Sequence, residues 1–291
     1  MTKTAKRARS VICTLLAFIL ALSATLTVAC AALALSALNP GFAVKIAAHS
    51  QYSEHLAAEL KEEFISYGNA CNIDESFFDL VFNNDITPAR IDADTETVLR
   101  EFYAGEVQDT VNTEDLHDSL LWRLSDYAIA KGFTVEPSDD NVIYQNLSTI
   151  ADELCDIYNA YVSVFSMSVF KTASRMLATY RPYAWYGAGA GAVLFVLSAV
   201  LLRLYYQKKK NYLRFFIYGF SASALMLAVA PAAALILRIG NRINIASAAL
   251  YALATGMING TLAAVLLSAL VPALITVLLV LVRNKAVQNN R

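Results

Sequence analysis

Residues 138–206 read SDDNVIYQNLSTIADELCDIYNAYVSVFSMSVFKTASRMLATYRPYAWYGAGAGAVLFVLSAVLLRLYY, an acidic, helix-patterned segment that passes through a proline and aromatic junction into an apolar span. Ser138 can cap a helix N-terminus, Pro137 stands before it, and Asp139 and Asp140 fall in the first turn, where carboxylates suit the helix dipole. Ile143, Leu147, Ile150, Leu154, Ile157, Tyr161 and Val164 then recur at alternating spacings of four and three. That is one apolar seam on a helix of about three heptads. So short a seam, without a charge code beside it, reads as a core face in a helical bundle rather than as a coiled coil. Arg181-Pro182-Tyr183-Ala184-Trp185-Tyr186 places a helix-entry proline beside three aromatics of the kind that gather at membrane interfaces. An apolar run over 184–202 follows, closed by Arg203, Lys208, Lys209 and Lys210.

Outward from this stretch, the chain divides by charge. It is 57% hydrophobic and 16% charged, the composition of a multipass membrane protein with a modest polar domain. All twenty-four acidic residues lie between Glu54 and Asp156. Basic residues cluster instead beside the apolar runs, at Lys3, Lys6, Arg7 and Arg9, at Arg203 to Arg214, and at Arg283, Lys285 and Arg291. The positive-inside rule makes those clusters cytoplasmic, so both termini are expected inside and the acidic segment outside. The expected layout is a basic N-terminus and first span over 1–38, an acidic helical extracytoplasmic domain over 39–181, and three further spans over 182–291. The run 11–38 exceeds the short apolar region of a cleaved signal peptide and reads as an uncleaved signal anchor. Small residues around Ala32 and Ala34, or Cys30 as a lipidated cysteine, are the competing processing readings.

Within 39–181 the pattern is helical almost throughout. Tyr52, Leu56, Leu60, Phe64 and Tyr67 share one face, with Gly68 as the stop. Asp74 is placed to cap a segment holding Phe77, Phe78, Val81 and Phe82; Asp92 or Asp94 to cap the next, which Gly105 ends. Thr113 opens a helix with the stripe Leu116, Leu120, Leu124, Tyr127 and Ala128, ending at Gly132. The fold class expected is therefore all-α.

The other spans are expected near 184–202, 215–237 and 262–282, with a tight basic hairpin at 206–211 and a basic cytoplasmic tail. The short apolar segment 243–258 reads as an outer interfacial helix, since a fifth span would carry the basic C-terminus outside. Gly187 with Gly191, and Gly219 with Ser223, have the small-residue spacing that lets helices approach closely, within the chain or between copies. Pro231 and Pro272 should kink their spans.

Sites of chemistry are hard to build from these residues. His55 and Glu59, with His49 and Glu63 nearby, are metal-capable types without specific spacing. Asp92, Asp94 and Glu96 resemble the start of a calcium loop, but Thr97 replaces its glycine and Tyr103 its closing glutamate. No nucleophile elbow, zinc-protease motif or phosphate loop is present, and the expected spans contain neither histidine nor acid. No catalytic residue, metal ligand or cofactor site is therefore assigned, and the expectation is a protein that is not an enzyme. Cys71 and Cys155 could bridge in an oxidising compartment or remain thiols. Twenty-four acids against nine bases over 39–181 exclude nucleic acid as a partner.

The order of these features, from Asn72-Ile73-Asp74 through Phe102-Tyr103-Ala104-Gly105 to the helix with Ile157, Tyr158 and Tyr161 and three spans with a basic link, resembles a recurrent membrane-protein type of Gram-positive bacteria. That resemblance implies a layout and a source, and no activity. The topology alone is similar to permeases of cell-division and macrolide-exporter ABC systems, although 206–211 is too short for their coupling helix. The function expected is a non-enzymatic plasma-membrane protein whose outer domain binds a partner or senses the envelope, the bilayer being its other partner. A permease-like transport subunit is the alternative.

Overall fold

The computed structural model describes residues 3–138, 141–205 and 209–288. Every regular element among them is helical: α1 (Lys3–Leu35), α2 (Pro40–His49), α3 (Tyr52–Ala70), α4 (Glu75–Asn84), α5 (Pro88–Ala104), α6 (Glu114–Ala130), α7 (Val142–Val162), α8 (Ser168–Tyr205), α9 (Lys209–Ile236), α10 (Ala248–Ser268) and α11 (Leu270–Gln288). Short 3-10 turns follow α7 and α9. Four stretches are long and apolar enough to cross a membrane: Val11–Leu35, Ser168–Tyr205, Tyr212–Ile236 and Ala248–Lys285. The chain forms two compact units, one of Met1–Asn39, Tyr180–Ile243 and Met257–Arg291, the other of Pro40–Thr179 and Asn244–Gly256.

Small residues set the packing of the first unit. A Cβ on Gly191 would lie 2.6 Å from Thr27 Oγ1 and 3.0 Å from the Thr27 backbone nitrogen, and one on Gly187 3.0 Å from Cys30 Sγ. One on Gly219 would meet Leu20 at 2.5 Å, and Ser223 accepts a hydrogen bond from Thr25 at 3.0 Å. Both small-residue pairs thus face α1 of their own chain, where van der Waals contact replaces the missing side chains. Cys13, Leu16, Leu20 and Leu202 form a buried cluster with Phe195, Ala199, Phe215 and Phe216.

Three boundaries differ from those the sequence suggests. Pro182 lies inside α8, which begins at Ser168 after the extended Met167, so the proline opens no helix. Tyr183, Trp185 and Tyr186 are exposed along that continuous helix. Residues 243–258 form no helix of their own, because Asn259 and Gly260 fail to interrupt α10. The interruption falls at Ala269, three residues before Pro272, whose ring nitrogen cannot donate to Ser268. Pro231 is tolerated within an unbroken α9. The hairpin at 206–211 lies largely outside the described residues.

The second unit has its own core, in which Phe64, Phe78, Leu60, Leu116, Leu120, Leu124, Leu154 and Tyr158 are fully buried. Its helix ends show which residues stop the chain. Gly68 does not end α3; it is buried within it, where a Cβ would strike the Phe78 ring at 2.2 Å. Asn72 makes the turn instead, at φ 57°, while the Ile73 amide donates to the Gly68 carbonyl at 2.9 Å. Thr87 caps α5 with Pro88 in the first turn, which displaces Asp92 and Asp94 into the helix interior. Gly105 and Gly132 adopt positive φ past the ends of α5 and α6, as their positions suggest. The cap of α7 is Asn141, whose side chain accepts from the Ile143 and Tyr144 amides, rather than Ser138. Asp139 and Asp140 lie outside the described residues.

The seam on α7 is also rotated. Ala151, Leu154, Cys155, Tyr158 and Val162 are buried, whereas Ile143, Leu147, Ile150, Ile157, Tyr161 and Val164 are only partly covered. Tyr158 can face inward because its hydroxyl donates to Asp94 at 2.5 Å.

Candidate functional site

The residues of greatest chemical interest in the sequence disperse into structural roles. Glu59 does not join a metal set: its carboxylate accepts from the Ser247 hydroxyl at 2.9 Å and from the Ala248 and Ala249 amides at 2.5 and 3.2 Å. It therefore satisfies the first amides of α10, where an acid also suits the helix dipole. Glu59→Ala should release that turn at a cost of about 1–2 kcal/mol. Hydrogen exchange should quicken at Ala248, Ala249 and Leu250 and stay unchanged later in α10, with Glu59→Gln intermediate. Asp92, Asp94 and Glu96 all sit within α5, with Asp94 bound to Tyr158 and Glu96 to Arg100 at 2.6 Å. Among the described residues no group of three or more His, Cys, Asp or Glu side chains is arranged to hold a metal ion.

A cleft of about 630 Å³ opens between α6 and α7, lined by Glu114, His117, Asp118, Asp152, Cys155 and Asp156. His117 stands 3.3 Å from Asp118 through Nδ1 and 3.3 Å from Asp152 through Nε2. Cys155 is a free thiol, as is Cys71. Burial pushes the Cys155 thiol up to about 11, and Asp152 and Asp156 add to that rise against the hydrogen bond from Thr113. A thiol so fully protonated near neutrality is a poor nucleophile. Burial, joined by Asp94, raises the Tyr158 phenol, and burial beside Glu59 raises that of Tyr52.

These shifts have a common sign. The folded chain keeps protons that the unfolded chain releases, so stability is full below the ordinary thiol value of 9.0 and falls as pH rises toward about 11. Thermal midpoints of the full chain should hold level from neutrality to about pH 8.5 and then decline. Cys155→Ala should make that decline shallower; an unchanged slope would remove Cys155 as its source.

A second depression, of about 360 Å³, runs between α4 and α6. Phe77 forms its floor, 4% exposed, and its ring meets that of Tyr127 at 5.3 Å. Leu80 and Trp122 form its lips and are 56% and 61% exposed. The base beside it is already occupied: Arg123 pairs with Asp85, which also accepts from Ser119 at 2.5 Å. At one end Asp74, although it stands at the α4 cap position, gives its carboxylate to Lys131 at 2.6 Å and to the Tyr127 hydroxyl at 2.9 Å. Those two bonds hold the Asp74 carboxyl below its usual range. They tie the start of α4 to the end of α6.

Of the stripe expected on α6, Leu116, Leu120, Leu124 and Ala128 are buried, whereas Tyr127 is only partly covered and lines the groove, and Trp122, outside the stripe, is exposed. The signal was present: Trp122 stands off that stripe, so burying the stripe turns the indole outward. Comparison of the chain with protein-family models, with curated proteins and with solved structures gives no match.

Proposed function

We propose that the chain is a multipass plasma-membrane protein whose acidic helical unit, held on the extracytoplasmic side, binds a protein partner, with both termini in the cytoplasm. Four membrane-length apolar helices and the flanking basic clusters support the placement. The observation that carries the binding role is Trp122, a large aromatic left 61% exposed at the lip of an apolar groove on an otherwise acidic surface. Aromatic anchors dominate protein interfaces, and an uncovered apolar groove rimmed by polar groups is where they act. The reading is binding because the groove offers an exposed aromatic and aliphatic contact surface in Trp122 and Leu80.

A photoreactive amino acid at position 122, activated in living cells, tests this reading against the same group at Asp92 on α5. A discrete protein adduct from position 122 that is missing from position 92 supports a binding module. No adduct from either position contradicts it, and co-purification of a stoichiometric ATPase would favour a transport subunit.

A further inference from the structure

Resting on that reading, the geometry points to the occupant of the α4–α6 groove: an amphipathic helical segment of another protein, apolar on one face and bearing lysine or arginine beside it. The groove is an open trough with two aromatic or aliphatic lips, and at about 360 Å³ it suits side-chain anchors presented by a helix better than an enclosed small ligand. Its charge selects the sign of the partner. Arg123 is neutralised by Asp85 and lies 5.8 Å from the Trp122 ring centre, so the groove has no cation to spare. Asp126, one helical turn beyond Trp122, lines the groove and is exposed, and among the described residues no lysine or arginine pairs with it. An incoming cation beside Asp126 would gain a carboxylate next to the exposed indole.

The wider surface disfavours the other occupants. The unit contains all twenty-four acidic residues and eight bases, so a second copy would bring like charge against like. An anionic lipid surface is repelled for the same reason. A cationic amphipathic helix is attracted over distance by the same field and then anchored locally by Leu80 and Trp122.

The chain provides its own reporter, because its two tryptophans are Trp122 and Trp185. In the full chain with Trp185→Phe, held in zwitterionic nanodiscs, Trp122 emission is followed against a leucine–lysine peptide patterned at i, i+3, i+4 and i+7. The expected result is a saturable blue shift, weakened about tenfold or more by Asp126→Lys and by Leu80→Asp, and unchanged by Asp92→Asn on α5. A leucine–glutamate peptide of the same pattern should give none. Equal response to the glutamate peptide, or equal loss with Asp92→Asn, would overturn the assignment. Circular dichroism of each variant separates lost binding from lost folding, and the Leu80, Asp92 and Asp126 side chains are all exposed. A discrete cellular adduct at position 122 without any response to the lysine peptide overturns the basic-helix occupant and leaves the binding module standing. An adduct between two copies also overturns the occupant. A blue shift produced by zwitterionic or anionic vesicles alone would overturn both.

Discussion

Phe78→Ala is expected to lower the stability of the acidic unit by about 3–5 kcal/mol, the range for removing a fully buried aromatic side chain. Phe78 lies edge-on to Phe64 at 6.1 Å and to Phe77 at 5.2 Å, so its ring links the floor of the groove to the central core. Its other edge lies where a Cβ on Gly68 would stand, 2.2 Å away. The backbone of α3 is therefore close enough to keep the remaining space small, but a rigid helix cannot collapse fully into a missing ring. The check is the rate at which Cys155 becomes alkylated in the full chain, followed peptide by peptide. Cys155 is 5% exposed in the folded unit and should react through opening. A Phe78→Ala variant that leaves the Cys155 rate and the thermal midpoint unchanged would show that this cluster does not hold the unit together.

Asp85→Ala is expected to cost nearly as much, about 3 kcal/mol, for an electrostatic reason. The Asp85 and Arg123 side chains are 10% and 22% exposed, and Asp85 is the shared acceptor for the guanidinium and for the Ser119 hydroxyl. Removing it strands a partly buried cation and a hydroxyl together. Arg123→Met in the same chain should recover part of the loss, because the desolvated charge is then gone as well. A double-mutant cycle on the same Cys155 readout measures this coupling. Purely additive losses would mean that the pair contributes nothing as a pair. Beyond stability, the Asp85→Ala variant should free Arg123 to bring positive charge to the groove and weaken a lysine-bearing partner.

The same packing and pairing explain why the architecture is more legible in the sequence than its details. Apolar stripes with strong periodicity, such as Leu116, Leu120 and Leu124 on α6, fix helices and their inner faces because burial of large side chains dominates. On α7 the sequence contains two adjacent stripes, and the larger aliphatic residues point to the wrong one. Ala151 and Cys155 are small and Tyr158 is polar, yet these pack inward because Asp94 satisfies the Tyr158 hydroxyl across the core. That bond joins residues far apart in sequence and leaves no local trace. The caps fail for a related reason. Thr87-Pro88 and Asn141 compete with Asp92, Asp94 and Ser138, and which of them caps depends on where the flanking chain must go. Asp74 and Glu59 show the same limit, since their carboxylates serve helices distant in sequence.

The breaks in the apolar helices follow one rule with different outcomes. Pro182 and Pro231 are absorbed within helices, whereas Pro272 coincides with the end of α10 at Ser268. Asn259 and Gly260, which resemble a turn in sequence, are carried inside α10, where the Asn259 side chain donates to Asn241 at 3.3 Å. The groove itself follows from α6 once the helix is oriented, and its charge from Asp126. Its lack of a cation to spare depends on the Asp85–Arg123 pair, which only the fold reveals.

The placement of the acidic unit outside the membrane is tested most directly by a membrane-impermeant maleimide applied to intact cells. Asp92→Cys on α5 and, separately, Lys285→Cys near the end of α11 are introduced with Cys71→Ser, and labelling is read by peptide. The account predicts that position 92 is labelled in intact cells and position 285 only after permeabilisation. Labelling of position 285 in intact cells, with position 92 protected until the membrane is opened, would contradict it.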